Sequence, residues 1–387
     1  MAPSKIAFVT PGSFPIPSPN SSSVERIIEH YVPLLDRSRV EPRIYGRLGP
    51  RLRRIGRVRS VRCERFPAAN KARYAASVAR AIRGFAPSII HVENRPIIAL
   101  RMKRRFPGRQ VWLSLQSNTF IGRRYIGRDR LLRSLAAADR IVVNSHWLRE
   151  HVASLAPSEA RKLSVVPLGV DTARFQSRFS PAGEARRREL RENRGWQGRK
   201  VVLFMGRVIP KKGVHHLVDV LPALVREHPD VLLVIVGSPF YGSHRTTSYS
   251  RRLAHAGAPF KKWLQFIPYV PYTEVPDWFL AADAAVVPSG ANEAFGLVNV
   301  EAMACGLPVV ATRSGGMPEI VEDGVTGFLA DPAHVKADLS EKLGLLLRDE
   351  ELRNRLGMNS RMRVEERFTW QRSAEAWMRV YEETRRE

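Results

Sequence analysis

Cysteine is almost absent: Cys63 and Cys305 are the only two in 387 residues, and nothing around them has metal-ligand spacing. This excludes a disulfide-stapled secreted scaffold and a cysteine zinc site, and it fits a reducing compartment. No apolar run approaches the ~18 residues a membrane-spanning helix requires. The opening, MAPSKIAFVT, enters a strand pattern with no charged n-region or apolar h-region before it. No secretion signal is therefore expected, and the expected location is cytoplasmic. Carboxylates are scarce, 37 Asp+Glu against 63 Lys+Arg, leaving a net charge of +26. That excess comes without zinc-finger spacing or an RNA-binding aromatic motif, so nucleic acid is not an expected partner. Internal repeats and low-complexity tracts are also missing.

What is present is a long chain with 44% apolar residues, enough for two well-filled domains. Short apolar runs alternate with helical stretches. Strands are expected at Ile6–Thr10, Ser88–Val92, Val111–Leu115 and Arg140–Asn144. A second series follows at Val201–Met205, Val231–Val236, Leu264–Ile267, Ala284–Val287 and Val309–Ala311. Helices are expected near 24–35, 214–227, 272–281, 295–305, 335–348 and 370–385. This alternation is the pattern of parallel sheets covered on both faces, an α/β fold. Ligands of such sheets sit beyond the carboxyl ends of the strands, which points to the loops after Thr10, Val92 and Leu115.

Arginine carries most of the positive charge. It crowds residues 43–65 (Arg43, Arg47, Arg51, Arg53, Arg54, Arg57, Arg59, Arg62, Arg65) and returns at Arg123, Arg124 and Arg128. Such a field draws anions. The expectation is a surface that meets an anionic acceptor or, peripherally, an anionic inner membrane face; the plain alternative is a solvated face.

The most informative stretch is 286–329, VVPSGANEAFGLVNVEAMACGLPVVATRSGGMPEIVEDGVTGFL. A strand, a loop and a helix start follow one another, with Glu293 in the loop and Glu301 about two turns into the helix. The first N–H groups of such a helix favour phosphate, and Gly296 lets a ligand approach the backbone. GRVIPKKG sets Arg207 and Lys212 just beyond another strand end, where a diphosphate would lie. Arginine offers paired bonds to phosphate oxygens and lysine a compact charge. A carboxylate can accept bonds from two hydroxyls, which suits a sugar diol. Cys305 reads as a small packing residue.

The pattern E-x7-E, AMA-x-G-x-P-V, GG-x-x-E-I and G-x-T-G resembles the nucleotide-binding domain of retaining glycosyltransferases of family 4. The resemblance is specific over 201–330 and looser over 1–175. GSPFYGSHRTTSY and HVENRP narrow it toward the branch that includes spore-coat-associated glycosyltransferases of Gram-positive bacteria. It implies the GT-B architecture: two Rossmann-like domains facing each other across a cleft, with a C-terminal helix crossing back to the first. VVPLGVDTARF at 165–175 resembles the family's interdomain segment. The implied layout is an acceptor-side domain at 1–175, a linker or peripheral piece at 176–199, a nucleotide-sugar domain at 200–369 and a returning helix at 370–387.

The resemblance also assigns roles. Arg207 and Lys212 neutralise the leaving nucleoside diphosphate, Glu301 holds the ribose and Glu293 a hydroxyl of the donor sugar. The amides of Phe295, Gly296 and Leu297 face the β-phosphate or the sugar. Backbone around Ile267 and Tyr269 forms the base pocket, with Pro268 where the family usually has glycine. Gly12 lets the first loop approach the diphosphate. Ser21 and Ser22 stand where a Gly-Gly pair is usual. On the acceptor side, His91 is kept, Glu93 replaces a second histidine, and Gln116 replaces the histidine that lines the sugar site. Gln116 can hydrogen-bond a hydroxyl but cannot titrate. A front-face retaining route needs no enzymic base, so changed efficiency or donor choice is expected rather than inactivity.

The implied activity is transfer of a hexose from a nucleoside-diphosphate sugar, UDP favoured, to a saccharide, lipid or anionic polymer. No metal and no cofactor beyond the donor are expected. Two other readings stay open: a sugar-nucleotide epimerase on the same fold, and a non-catalytic coat or scaffold protein that binds anionic polymer.

Overall fold

The computed structural model describes residues 2–18, 23–240, 242–290 and 292–386. The chain divides into two units, Met1–Leu168 with Trp370–Glu387, and Gly169–Thr369.

Unit 1 is built on β1 (Ser4–Val9), β2 (Val40–Arg47), β3 (Ile55–Val58), β4 (Val61–Phe66), β5 (Ile89–Glu93), β6 (Gln110–Leu115), β7 (Arg140–Val143) and β8 (Leu163–Val165), ordered β3-β4-β2-β1-β5-β6-β7-β8. Pairing is parallel except for β3 with β4. β1 runs between β2 and β5, so the connections lead to opposite sides of it. The loops after β1 and β5, starting at Thr10 and Asn94, therefore flank a topological switch point, where parallel sheets take ligands. The inner strands are apolar throughout because helices cover both faces: Ile6, Ala7, Phe8 and Val9 are all 0% exposed.

The helix Trp370–Arg386 is part of this unit. Trp377 stacks on Tyr381 and packs among Phe8, His91 and Trp112, and its Nε1 donates to His91 Nδ1 at 3.1 Å. The Tyr381 hydroxyl meets Ser4 Oγ at 2.6 Å. The C-terminal helix thus completes the first unit's core, as the resemblance implies.

Unit 2 carries β9 (Lys200–Met205), β10 (Val231–Val236), β11 (Leu264–Ile267), β12 (Ala284–Val287), β13 (Val309–Thr312) and β14 (Gly327–Ala330), all parallel, ordered β11-β10-β9-β12-β13-β14. Its switch point lies between β9 and β12, so the loops opening at Gly206 and Pro288 flank it. Both units are Rossmann-like parallel sheets. No helix among the described residues is long and apolar enough to cross a membrane.

Two stretches differ from the sequence reading. The arginine-rich 43–65 is not simply a charged surface, because it supplies most of β2, β3 and β4. Arg43 lies over the Phe85 ring at 3.8 Å. Arg65 is 3% exposed, donating to the carbonyls of Ile16, Arg53 and Arg57. Arginine stems pack as apolar matter while the guanidinium satisfies turn carbonyls, so charge conceals the strand pattern. The stretch 176–199, expected as a linker or peripheral helix, does hold a helix, Pro181–Asn193, capped by Ser180, but one tied into unit 2 rather than peripheral to it. Its Arg187 and Arg191 bond to Asp283, which is 6% exposed, at 2.6 and 3.1 Å, and Asp283 also accepts from Val201 N. This helix is a working part of unit 2.

Candidate active site

In unit 2 three loops converge at the carboxyl ends of β9, β12 and β13. The β12 loop is fixed from both sides. Gly290 N donates to Lys211 O at 2.9 Å, Ser314 Oγ to Gly290 O at 3.1 Å and Gly316 N to Glu293 O at 2.9 Å. Gly315, at φ +59, lies so close to Glu293 that a Cβ there would collide with the Glu293 carbonyl. The Gly315-Gly316 turn is thus what lets the β13 loop close onto the β12 loop.

Held this way, Glu293 pairs with Lys212 at 2.6 Å, both side chains being 20% exposed. Burial alone would push the Glu293 carboxyl up. Lys212, with Lys211 and Arg207 behind it, outweighs that and holds it below the usual carboxylate range. Three cations therefore gather around one carboxylate, a field suited to a diphosphate. Gly296, at φ +86, precedes the helix Leu297–Ala304 and sets its N-terminal amides at the loop. The Phe295 ring turns inward, 4% exposed and edge-on to Phe368. Glu301 is 7% exposed on the same helix. Ile267 ends β11 and Tyr269 follows it, both half-buried, and Gly237 N donates to Ile267 O. Of the residues expected here, the structure brings Arg207, Lys212 and Glu293 together and sets Phe295–Leu297 at the start of the helix that carries Glu301.

Unit 1 is more mixed. Gly12, at φ +68, turns the β1 loop against the Tyr74 ring. Ser21 and Ser22 lie outside the described residues. His91 does not line a site. It is 0% exposed, with Nδ1 bonded to Trp377 and Nε2 at 2.6 Å from Ser114 Oγ, and burial pulls its pKa down to about 3. Of the two readings open for it, an acceptor-side residue or a histidine satisfying a buried sheet end, the structure shows the second. Gln116 is half-buried and tied into a network with Glu93, Asn94 and Asn144.

The sequence reading missed a group of cations around the β1 loop. Lys71 Nζ donates to Gly12 O, Arg47 to Ser13 O at 2.5 Å, and Arg95 to Ser13 Oγ at 2.7 Å. Arg95 also stacks over Phe120 at 3.6 Å. The buried carboxylate of Glu25 acts on Lys71 and Arg95 and offsets part of this charge. Lys71 is held below its ordinary pKa, first by burial and then by Arg95 and Arg47. Coming from three separated segments, these residues leave no spacing signal.

Two Rossmann-like sheets, with cationic and carboxylate side chains gathered at the second unit's switch point, are the architecture of the GT-B class. Comparison with known proteins gives the family. Residues 186–363 match the model "Glycosyl transferases group 1" and residues 24–174 match "Glycosyltransferase Family 4". Spore coat protein SA of Bacillus subtilis (strain 168) is 30% identical over 386 residues, covering 98% of this chain and 100% of that protein. D-inositol 3-phosphate glycosyltransferase of Corynebacterium jeikeium (strain K411) is 36% identical, over 64% of this chain and 58% of that protein. The crystal structure of Anabaena Alr3699/HepE with UDP and glucose superposes with a TM-score of 0.77 at 21% identity, over 98% of this chain and 99% of that one. The chain belongs to the group 1, family 4 glycosyltransferases, in the neighbourhood of the spore coat protein.

Proposed function

We propose that this chain transfers a hexosyl group, with retention, from a UDP-sugar to an anionic acceptor. The observation that carries the donor half is the Lys212–Glu293 pair with Arg207 and Lys211 beside it. Lys212 exchanges Glu293 for the donor diphosphate, and Arg207 shares that charge. Glu293, released, accepts from a sugar hydroxyl, while Glu301 holds the ribose. The acceptor hydroxyl attacks the anomeric carbon as the bond to the leaving phosphate breaks, and a phosphate oxygen takes the proton. Stabilising the departing charge in a preorganised site usually lowers the barrier of such reactions more than any other effect. UDP as the donor's nucleotide has support in the UDP bound by Alr3699/HepE.

Turnover is expected to survive excess EDTA, because cationic side chains supply the charge on the diphosphate. Glu293→Ala should cost more in turnover than in UDP affinity. Loss of UDP affinity with turnover intact would exchange the roles of the two glutamates.

The acceptor half rests on unit 1. Arg47, Lys71 and Arg95 set three cations at the switch-point loop against one nearby carboxylate, Glu25, and this excess of positive charge suits a phosphate or carboxylate on the acceptor. The name of the Corynebacterium relative, which carries inositol phosphate, agrees. Calorimetry with phosphorylated and neutral forms of the same sugars tests this. The phosphorylated forms should bind tighter by roughly 1–3 kcal/mol, the range for bonds to charged groups, and Lys71→Ala and Arg95→Ala should remove that difference. Equal affinity for both forms would leave the acceptor class to a neutral saccharide.

A further inference from the structure

We propose that Glu93 is a positioning residue: it sets which end of the Gln116 side-chain amide, N–H or C=O, is offered beyond the carboxyl ends of β5 and β6 in the unit 1 sheet. Its meaning for transfer rests on the acceptor reading above; its test does not.

Glu93 ends β5 and is 0% exposed, paired in register with Ser114 on β6. Gln116 follows β6 and is held at every polar atom. Its N donates to Asn94 Oδ1 at 3.2 Å, its side-chain Nε2 to Glu93 Oε2 at 3.2 Å, and its carbonyl and Oε1 accept from Asn144 Nδ2 at 3.1 and 3.3 Å. Asn94 holds its end of this frame in a left-handed conformation, φ +53, that non-glycine residues adopt at a cost. The Gln116 backbone is therefore pinned, and the freedom left is rotation of its amide.

A charged carboxylate only accepts, so it requires Nε2 toward it and leaves Oε1 to Asn144. A protonated Glu93 donates instead, and its O–H fits Oε1. The amide then turns by half a rotation and exchanges the places of its spare N–H and its spare carbonyl lone pair. Asn144 is equipped for the change. Its Oδ1 is buried with no hydrogen-bond partner, and a turn of that side chain presents it to the rotated Nε2, at the loss of the bond to the Gln116 carbonyl. One proton thus separates two arrangements, and the charged one keeps the extra bond.

The groups facing Glu93 place that exchange near neutrality. Burial raises its carboxyl to about 7, against hydrogen bonds from Gln116, Ser114 and Tyr31, and Glu25 pushes the same way as burial. His91, 3.4 Å away, stays neutral. Above this value Glu93 is charged and the N–H faces the carboxylate; below it, the arrangement reverses.

The experiment is a side-chain amide spectrum of the full chain labelled with 15N-glutamine, over about pH 5.5 to 8.5, a window that brackets the transition. The Gln116 signals are identified by their loss in Gln116→Ala. In the wild type they should move through one transition near pH 7, and Glu93→Gln, which keeps the shape but not the proton, should flatten it. In parallel, release of UDP from UDP-glucose as a probe should show an inflection that Glu93→Gln abolishes. Unmoved Gln116 signals in the wild type, or a transition that survives Glu93→Gln, would overturn the proposal. Failure to turn over UDP-glucose would count against the donor reading alone, because the spectrum decides the rest. UDP affinity, a property of unit 2, confirms that each variant is folded.

Discussion

Lys212→Ala is expected to weaken UDP binding by roughly 1–3 kcal/mol, about 5- to 150-fold, and Arg207→Ala by a similar amount. The two should differ in the ligand-free protein. Lys212 is the 2.6 Å partner of Glu293, so its removal leaves a largely desolvated carboxylate without its main counter-charge. The Glu293 carboxyl should then rise from below its ordinary 4.5 to above it. Because the folded-state value is depressed in the wild type, the pair's stabilisation is full above the ordinary carboxylate value and is lost as pH falls through the lower one. In Lys212→Ala the sign should reverse, Glu293 then costing stability at neutral pH and that cost easing as pH falls through its raised value. Calorimetry of UDP binding and urea unfolding at two pH values measure both effects. Unchanged UDP affinity in both variants would remove the diphosphate from this site.

Asp283→Ala should destabilise unit 2 more than any substitution in the candidate site, by about 3–5 kcal/mol, the usual penalty for breaking a buried ion pair by removing one partner. Asp283 is 6% exposed and neutralises both Arg187 and Arg191 while capping Val201 N at 2.7 Å. Its loss strands two guanidiniums against the carbonyls of Leu280, Ala281 and Ala282. Asp283→Asn keeps an acceptor and should cost less. Trp196 and Trp278, packed 5.9 Å apart in the same unit, report the transition by fluorescence. A loss below ~1 kcal/mol, the value of an exposed pair, would mean that water already shares these charges and that the helix Pro181–Asn193 is held by other contacts.

The donor side was legible because its chemistry is local. Glu293, Phe295–Leu297 and Glu301 lie on one loop and one helix, and Arg207 with Lys212 on another loop, so spacing alone brings them together. The strands of unit 2 were legible for the same reason: Val231–Val236 is an unbroken apolar run. The acceptor side was not. Lys71, Arg47 and Arg95 meet only through the sheet order, which no window of sequence carries. β2, β3 and β4 were hidden because Arg43, Arg47, Arg57, Arg62 and Arg65 occupy strand positions where polar or apolar alternation would normally show. His91 was ambiguous for the opposite reason, open both to an acceptor-side role and to satisfying a buried sheet end. Its motif is intact, yet Trp377, 286 residues later in the chain, covers it and takes its Nδ1. The substitution of Glu93 and Gln116 for two histidines was visible in the sequence, but that the newcomers bond to each other at 3.2 Å required the structure.

The helix Trp370–Arg386 gives the chain an order of assembly. Unit 2 is one uninterrupted segment, Gly169–Thr369, and can close as soon as it has left the ribosome. The strands of unit 1 precede unit 2 in the chain, but Trp377 and Tyr381 follow it, so Phe8, His91 and Trp112 lack these partners through the translation of the whole second unit. Unit 1 is therefore begun before unit 2 and completed after it, and partly built units with exposed apolar surface are the species most prone to aggregate.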